Sequence, residues 1–374
     1  MAEIWIGAGG TGGHIVPGLA LAEALESAGF PHDHIVFVTA DRPLDRQLVP
    51  DDAFRVIRYE GRGLGGGPRG LSRALLANAK GSYSLARPLR RARPAVVVGF
   101  GGYASFAALA LGRQAGSSVV VVEENAVIGR TNRLAGSFAD VIVGTYPLIL
   151  PPVLGAKVVM AGTPIRSAVR ELAEAESPRR FAREILGIPE SMRIVVMAGG
   201  SLGAHVLNEA ARAIAGGMKS DGESRVVVFS GTTNAVSSAL TNDADVVLPG
   251  EVVRFLQYVP RAYLWYAAAD VVIARAGAST LAELCAVGAP SILIPFARAK
   301  DEHQLRNAEH LARLGAAELL LEDEATPDRL SKDVNELLVD GERARLLSMG
   351  ARAVARPNAA RDLASICLGL INGG

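Results

Sequence analysis

Three short segments of this sequence combine glycine with polar side chains in a pattern suited to anionic ligands. They are GAGGTGGHIVPG at residues 7–18, GFGGYASF at 99–106 and MAGGSLGAHVLN at 197–208. Each follows an apolar run that predicts a β-strand, and each leads into a segment with the apolar spacing of a helix. Glycines at a helix start let a ligand approach backbone N–H groups, and the helix dipole favours an anion there. The pattern predicts sites for phosphate or diphosphate groups.

The first segment also fits the dinucleotide pattern G-x-G-x-x-G at residues 7–12. That site requires an acidic residue about 20 positions on, at the end of the second strand. The run HIVFVTA at 34–40 ends before Asp41, which comes too late. An NAD-dependent oxidoreductase therefore remains an alternative, as does a purely structural turn. We expect Pro17 in the first turn of the following helix and Gly29 at its end.

The third segment carries a rival pattern. Residues 199–203 spell G-x-S-x-G around Ser201, which is the nucleophile elbow of serine hydrolases in its usual strand-turn-helix setting. Asp270, followed by His303 or His310, would complete a triad in the required order. A serine at this position can also cap the helix, and such a cap is compatible with a bound phosphate. We prefer the second interpretation and keep an α/β serine hydrolase as the alternative.

Two acidic patterns have different interpretations. In RAGASTLAEL, residues 275–284, Thr280 and Glu283 have the spacing of a capping box, and Glu283 is also suited to accept hydrogen bonds from a ribose diol. Asp243 and Asp245 form a pair that could bind a metal, but they lie in the turn-like run TNDADVVL. We interpret that pair as a turn and predict no metal.

The segment PFARAKDEHQLRNAEHL, residues 295–311, leaves a predicted strand through a polar loop and enters a predicted helix. His303, Gln304 and Asn307 would offer imidazole and amide groups to a sugar. A solvated loop would have the same composition, so both interpretations stay open.

Composition limits the class of protein. The 374 residues suffice for two domains, and 49% hydrophobic with 21% charged residues is typical of a globular protein. A net charge of +1 gives no argument for nucleic acid. Cys285 and Cys367, in apolar helical surroundings, exclude a disulfide framework and favour a reducing cytoplasm. The first strand begins near Glu3, so we expect no signal peptide, and no apolar run reaches the roughly 18 residues of a membrane span.

Residues 61–94 are basic and amphipathic, with no acidic residue among them. The basic residues are Arg62, Arg69, Arg73, Lys80, Arg87, Arg90, Arg91 and Arg93, and the leucines are Leu71, Leu75, Leu76, Leu85 and Leu89. Near an anionic membrane each basic residue would contribute about 1 kcal/mol. The segment predicts peripheral membrane contact, with a solvated pair of helices as the alternative.

Strand-like and helical segments alternate through the chain and predict parallel α/β sheets. The pattern starts afresh at RIVVMAGG, residues 193–200, which indicates two such sheets around a cleft. Ligands of these sheets bind beyond the carboxyl ends of the strands. We therefore predict domains at residues 1–163 and 164–341, followed by C-terminal helices at 342–374 that pack back toward the first domain.

Six motifs in one order carry a resemblance that runs the length of the chain. They are GGTGGH at 9–14, GGYAS at 101–105, EENAVIGRTNR at 123–133, GTPIR at 162–166, GGSLGA at 199–204 and RAGASTLAE at 275–283. Together they resemble the bacterial peptidoglycan glycosyltransferases that add N-acetylglucosamine to the undecaprenyl-linked muramyl-pentapeptide lipid. The resemblance implies the GT-B fold, two Rossmann-like parallel-sheet domains facing a cleft. It also implies that the second domain binds UDP-N-acetylglucosamine and that the first takes the lipid acceptor.

The resemblance also implies site residues. Those that would contact the donor are Thr11, Gly12, Gly13, Asn125, Arg166, Ser201, Val259, Ala278, Ser279, Thr280, Leu281, Ala282, Glu283 and Gln304. Val259 would act through its backbone at the uracil, and Glu283 at the ribose. Additional contacts are His303, Tyr103 and Glu124. Three positions depart from the family pattern, because Leu202, Glu124 and His303 stand where it has glutamine.

The implied reaction is an inverting transfer without metal or cofactor. The muramyl 4-hydroxyl would attack the anomeric carbon of the donor, and UDP would leave. His14 is expected to act either as the base, since imidazole titrates near neutral pH, or as a ligand for the acceptor diphosphate. The expected location is the cytoplasmic face of the bacterial inner membrane, held peripherally at its anionic surface. Cell-wall synthesis proteins are further expected partners.

Overall fold

The structure is a computed structural model that describes residues 2–10, 12–62, 67–148, 154, 157–199, 205–218, 224–229, 253–256, 259–297, 299 and 302–373. The chain forms two compact units. The first comprises Met1–Ser167 with Asn358–Gly374, and the second comprises Ala168–Pro357. The first crossing between units thus follows Ser167 rather than residue 163, and residues 342–357 belong to the second unit.

The sheet of the first unit is parallel throughout. Its strands are β1 (Ile4–Gly7), β2 (Ile35–Ala40), β3 (Arg55–Tyr59), β4 (Val96–Gly99), β5 (Ser118–Glu123), β6 (Val141–Gly144) and β7 (Val158–Met160). They lie in the order β3-β2-β1-β4-β5-β6-β7. Valine-rich runs such as β4 are buried on both faces, as parallel strands covered by helices must be. The strand order reverses between β1 and β4, so the ligand-binding crevice of this sheet lies there.

The second sheet repeats the arrangement. Its strands are β8 (Arg193–Ala198), β9 (Ser224–Phe229), β10 (Val253–Leu256), β11 (Val271–Ala274), β12 (Ser291–Leu293) and β13 (Glu318–Leu319). They lie in the order β10-β9-β8-β11-β12-β13, all parallel. The reversal here falls between β8 and β11. The predicted duplication of a parallel α/β sheet is confirmed.

Helices connect the strands of both sheets. They are α1 (Gly12–Ser27), α2 (Pro43–Leu48), α3 (Gly67–Ala92), α4 (Gly102–Gln114), α5 (Arg130–Gly136), α6 (Ser167–Glu174), α7 (Pro178–Leu186), α8 (His205–Met218), α9 (Ala262–Ala268), α10 (Ala278–Val287), α11 (His303–Arg313), α12 (Pro327–Val339), α13 (Gly341–Val354) and α14 (Ala359–Asn372). In the described part of the chain, no helix combines the length and apolarity that crossing a bilayer requires.

The C-terminal helices divide between the units. Helix α13 packs against α10 and α12, within the second unit, whereas α14 packs against α1 in the first. Leu363 and Cys367 of α14 are fully buried in the same core as Leu21 of α1 and Ile4 of β1. Burying one such leucine stabilises a fold by about 1.5–3 kcal/mol. The end of the chain therefore completes the core of the first unit.

Helix α1 begins earlier than predicted. Gly10 has a left-handed backbone, and the helix starts directly after this loop, at Gly12. Pro17 is therefore the sixth residue of α1, not part of its first turn, because the glycines before it already adopt helical geometry. The predicted end is confirmed: Gly29 has φ +85° and its N–H donates to Glu26, as in a Schellman cap.

Candidate active site

His14 lies where three elements of the first unit meet. It is in the first turn of α1, which follows β1. Its ring rests on Gly101 of the loop after β4, since a Cβ added at Gly101 would lie 3.2 Å from the ring Cε1. Gly101 and Gly102 have φ of +106° and +82°, a left-handed backbone that glycine adopts without strain. The loops after β1 and β4 thus place an imidazole at the predicted crevice.

Glu124, which follows β5, is the acidic neighbour of His14. Its Oε2 lies 3.8 Å from His14 Nδ1, and the side chain is only 4% exposed. Burial raises the pKa of Glu124 to about 7, with the charge of Glu123 adding to that rise and His14 opposing it. An acid that titrates near neutral pH therefore lies beside the candidate base.

Glu123, the last residue of β5, organises the segment that follows. Its Oε1 accepts the backbone N–H and the side-chain amide of Asn125 at 3.0 and 3.2 Å. Its Oε2 accepts the N–H of Gly129 and the amide of Asn132, both at 2.9 Å. Asn125 is predicted to contact the sugar donor. It is held in place by Glu123, to which the sequence analysis gave no role. The available signal was a carboxylate at a strand end, directly before a polar turn.

The loop after β1 is held by a hydrogen bond to the carboxylate of Asp45. Asp45 of α2 is fully buried and accepts the N–H of Gly10 at 2.9 Å, while Arg42 donates to the Gly10 carbonyl at 3.0 Å. Because a buried carboxylate already uses this N–H, a diphosphate at Gly10 would meet a like charge. Strand β2 ends before Asp41, as predicted. The loop therefore does not support the NAD alternative; Thr11 lies outside the described residues.

Tyr103 lies on the same edge of the first sheet. It is in the first turn of α4, and the Arg42 guanidinium carbon lies 5.7 Å from its ring centroid. Tyr59, at the end of β3, approaches the same ring with a centroid separation of 6.0 Å. An aromatic ring and a cation therefore flank the region of His14 on the side of β2 and β3.

In the second unit, helix α10 begins beside the crevice of its sheet. Its N-cap is Gly277, so Thr280 is the third helical residue and the predicted capping box is wrong. The Thr280 hydroxyl instead makes a hydrogen bond with the buried Tyr266. Burial and the charge of Glu283 both raise the pKa of Tyr266. Thr280 and Glu283 therefore lie on the side of α10 that faces Tyr266.

The other predicted residues of α10 differ in what they can offer a ligand. Leu281 is in the core, and its N–H donates to the Gly277 carbonyl at 3.0 Å, so its role is packing. Ala278, Ser279 and Ala282 are partly exposed on the first turns. Residues 200–204 of the third glycine segment, which include Ser201 and Leu202, lie outside the described residues, as do Asp243 and Asp245.

Arg275 and Glu322 fix the loop after β12. Arg275 donates to the carbonyls of Ile294 and Pro295 at 3.2 and 3.3 Å and pairs with Glu322. Glu322 also accepts the N–H of Ala297 at 2.9 Å. The sequence offered no helical or strand spacing that would link these two residues.

The side chains of Gln304 and Asn307 hold neighbouring loops through hydrogen bonds to the backbone. The Gln304 Oε1 accepts the N–H of Phe296 at 2.9 Å, and the fully buried Asn307 donates its amide to the Ala276 carbonyl at 3.2 Å. His303 is the first residue of α11. Of the three polar side chains predicted here, Asn307 is thus a structural contact, and Gln304 and His303 stay candidates.

Arg166 belongs to the first unit and Val259 to the second. Arg166 pairs with Glu23 of α1, and Glu23 also accepts the N–H and hydroxyl of Ser167 at 2.9 and 3.0 Å. Val259 follows β10, the edge strand of the second sheet, at its carboxyl end. Helix α10 also begins at the carboxyl ends of the strands of this sheet.

Asp270 cannot serve a serine nucleophile. It precedes β11 and accepts hydrogen bonds from Arg179 at 2.6 Å, Arg183 at 3.0 Å and the N–H of Ile194 at 2.7 Å. These partners lie at the amino ends of the strands, about 13 Å from the carboxyl ends across four residues of β11. The hydrolase triad proposed from the sequence is therefore wrong in its acid.

Comparisons with known proteins cover nearly the whole chain. Residues 4–143 match the glycosyltransferase family 28 N-terminal domain, and residues 194–364 match the glycosyltransferase family 28 C-terminal domain. The UDP-N-acetylglucosamine--N-acetylmuramyl-(pentapeptide) pyrophosphoryl-undecaprenol N-acetylglucosamine transferase of Xanthomonas axonopodis pv. citri (strain 306) is 36% identical, over 98% of this chain and 82% of that protein. The enzyme of the same name from Halorhodospira halophila is 37% identical, over 97% of this chain and 96% of its own length.

Solved structures agree in fold. The crystal structure of Acinetobacter baumannii MurG superposes with a TM-score of 0.70 at 24% identity, covering 98% of this chain and 99% of that one. The glycosyltransferase of kitacinnamycin superposes with a TM-score of 0.67 at 17% identity, with 98% of each chain covered. At these identities the likeness concerns the fold alone.

Proposed function

Because the chain belongs to glycosyltransferase family 28, and within it to the transferases that act in peptidoglycan synthesis, we propose the following reaction. The enzyme moves N-acetylglucosamine from UDP-N-acetylglucosamine to the 4-hydroxyl of undecaprenyl-pyrophosphoryl-N-acetylmuramyl-pentapeptide. It is an N-acetylglucosaminyltransferase with the GT-B fold, two Rossmann-like parallel-sheet domains. The observation that carries the proposal is the full-length match together with a candidate crevice at the strand reversal of each sheet.

The donor belongs to the second unit in this proposal. Glu283 accepts hydrogen bonds from the ribose hydroxyls, and its partly exposed position on α10, beside the crevice, supports that role. Ser279 and Thr280 in the first turn of α10 lie near the diphosphate, where the helix dipole favours negative charge. Gln304 contacts the sugar, and the backbone at Val259 contacts the uracil. Gly12, Gly13 and Asn125 of the first unit, with Ser201 and Thr11, complete the set.

The chemistry is a single displacement. The muramyl O4 forms a bond to the anomeric carbon, the bond from that carbon to UDP breaks, and its electron pair leaves with UDP. No enzyme nucleophile and no metal take part. Arg166 stabilises the departing diphosphate through a charge-assisted hydrogen bond worth roughly 1.5–3 kcal/mol, or about ten- to a hundredfold in rate.

His14 accepts the proton of the muramyl 4-hydroxyl. Its place at the crevice of the first sheet, beside the buried Glu124, favours the role of base over that of a ligand for the acceptor diphosphate. A ligand for a diphosphate would be hindered by the neighbouring carboxyl once that group ionises.

The first unit meets the membrane through one face of α3. Leu76 and Tyr83 on this helix are 73% and 85% exposed, so the helix presents apolar side chains to its surroundings. Arg73, Lys80 and Arg87 lie three or four residues from them, so all five side chains share one face. The helix contains no acidic residue, and Arg90 and Arg91 are exposed in its last turn. We therefore place the enzyme peripherally on the anionic cytoplasmic surface of the inner membrane.

The test is UDP release from UDP-N-acetylglucosamine with a short-chain lipid-linked muramyl-pentapeptide acceptor, in the presence of a chelator. We expect release that depends on the acceptor and persists in the chelator. No release after Mg²⁺ is restored would contradict the function, and release only with Mg²⁺ would contradict the metal-independent chemistry alone. A control lacking acceptor measures hydrolysis of the donor.

A further inference from the structure

We propose that Glu124 is a positioning residue for His14: its buried carboxyl engages Nδ1 and leaves Nε2 as the ring nitrogen that receives the acceptor proton. The proposal rests on the glycosyltransferase function, because it assigns an atom to each step of the proton's path in that reaction. It concerns a pair of side chains that come from α1 and from the segment after β5, 110 residues apart in sequence.

The geometry of the pair is unusual for a buried contact. His14 Nδ1 and Glu124 Oε1 are both buried, and neither has a hydrogen-bond partner among the residues that the structure describes. Buried polar atoms are nearly always hydrogen-bonded. Because the 3.8 Å separation of Nδ1 and Oε2 exceeds a hydrogen bond by about 1 Å, a small shift on substrate binding would join them.

The orientation of the ring follows from its surroundings. The imidazole lies flat against Gly101, where a Cβ would come within 3.2–3.6 Å of three ring atoms. The buried Nδ1 is turned to Glu124, yet 31% of the side chain is exposed. Of the two ring nitrogens, Nδ1 is the one beside Glu124, which leaves Nε2 to receive a proton.

The positions of the protons on the two side chains show why the Glu124 carboxyl matters. With Glu124 ionised and Nδ1 protonated, Nε2 has a lone pair and accepts the proton of the muramyl hydroxyl as O4 bonds to the anomeric carbon. The imidazolium that forms is stabilised by the adjacent carboxylate and later releases its proton to solvent. One extra proton on the resting pair gives either imidazolium or the carboxylic acid with Nε2–H, and neither accepts a proton at Nε2.

Other charged groups lie on the described segments beside the pair. Glu123, adjacent in the chain, raises the pKa of Glu124, while its oxygens accept four hydrogen bonds from the segment that follows it. From α2 comes the buried Asp45 at Gly10, and from the residue before α2 comes Arg42. Burial brings the pKa of Glu124 to about 7, so a carboxyl that gains or loses its proton near neutral pH lies beside the ring.

The first experiment observes the pair without any reaction. Long-range ¹H–¹⁵N spectra of the full chain between pH 5 and 9 report the tautomer and titration of each imidazole, and the signals lost in His14→Gln identify His14. We expect the Nδ1–H tautomer of His14 near pH 8. In Glu124→Gln the tautomers should mix, because the neutral amide can donate to Nδ1 as well as accept from it.

A matched control is available on the same helix. Glu26 of α1 lies 2.6 Å from His32 in an exposed pair. Glu26→Gln should lower the pKa of His32 and leave the signals of His14 unchanged. An unchanged tautomer of His14 in Glu124→Gln would overturn the proposal. If Glu124→Gln does not fold, Glu124→Asp replaces it, because aspartate keeps the charge but is shorter by one methylene. Unaltered signals of His14 in Glu124→Asp would equally overturn the proposal.

The second experiment uses the reaction. We expect Glu124→Gln to lower kcat at pH 8 by roughly tenfold, less than the roughly 10²–10⁴-fold effect of a general base itself, because Glu124 only positions the imidazole, and to leave the acceptor KM within about twofold. The acid limb of the kcat profile should follow the His14 midpoint in each variant. A raised KM at constant kcat would make Glu124 a binding residue and overturn the proposal. If the wild-type enzyme shows no acceptor-dependent transfer, the proposed function is wrong. The spectra would still show whether Glu124 sets the tautomer of His14.

Discussion

The guanidinium of Arg166 pairs with the carboxylate of Glu23 on α1. The arginine proposed to stabilise the leaving diphosphate is therefore bound by an acid of the first unit and must exchange partners during the reaction. We predict that Arg166→Ala lowers kcat by about ten- to a hundredfold, the value of one charge-assisted hydrogen bond. Steady-state release of UDP measures this. Arg170→Ala, which removes an arginine paired with Glu174 one turn further on, should keep kcat close to wild type. Equal kcat in the wild type and Arg166→Ala would remove Arg166 from the mechanism.

The carboxylate of Glu283 decides recognition of the ribose. We predict that Glu283→Ala raises the KM for UDP-N-acetylglucosamine by about ten- to a hundredfold, because hydrogen bonds to a charged group are worth roughly 1.5–3 kcal/mol. A donor that lacks the ribose 2′-hydroxyl should be discriminated by the wild type but not by the variant. Glu309→Ala on α11, an acid paired at the surface with Arg306, is the control. A variant that still discriminates the deoxy donor would show that Glu283 only supports α10.

The buried carboxyl of Glu124 makes the stability of the first unit depend on pH. Its pKa in the folded chain is raised to about 7 from 4.5. The folded state thus binds this proton more tightly than the unfolded state does. Its contribution to stability is fully present below pH 4.5 and is lost as the pH rises through 7, by an amount of about 3 kcal/mol. Urea unfolding at pH 5 and pH 8 should show the loss in the wild type and a smaller one in Glu124→Gln. Parallel losses in both proteins would contradict the assignment.

The left-handed backbone of Gly101 is needed for His14 as well as for the turn. We predict that Gly101→Ala costs about 1–2 kcal/mol of stability from its positive φ, and that it also lowers kcat, because the new Cβ displaces the imidazole. Gly116→Ala is the matched control, since Gly116 has φ +91° and nothing within 4 Å of an added Cβ. It should lose similar stability and keep its activity. Thermal unfolding and kcat measure the two effects, and an active Gly101→Ala would show that the ring tolerates displacement.

The exposed basic face of α3 should control binding to membranes. We predict that Arg90→Ala with Arg91→Ala weakens binding to anionic vesicles by roughly tenfold or more, since each cation contributes about 1 kcal/mol. Raising the salt concentration should weaken wild-type binding in the same direction. The control replaces Arg306 and Arg345, exposed arginines of the second unit. Tyr83→Ser should weaken binding at high salt as well, because its contribution is apolar. Binding that ignores both salt and these substitutions would contradict the proposal.

Much of the architecture could be predicted from local patterns. Apolar runs such as AVVVGF predicted buried parallel strands, and the restart at RIVVMAGG predicted the second sheet. The first two glycine segments predicted the turns after β1 and β4, and Gly29 predicted the end of α1. Helix starts were less well predicted. Pro17 and Thr280 both carry local start signals, but each helix begins earlier, because the glycines before Pro17 and the residues after Gly277 are already helical.

The sequence by itself determined the succession of strands, the positions of the tight turns and the motifs that carry family membership, because these depend on residue spacing and on backbone preferences within a few positions. Only the tertiary structure decided which side chains meet. Nothing in local spacing pairs Glu124 with His14, Asp45 with Gly10 or Arg275 with Glu322. Those pairs form because parallel strands bring distant loops to one edge of a sheet, where burial raises the pKa of Glu124.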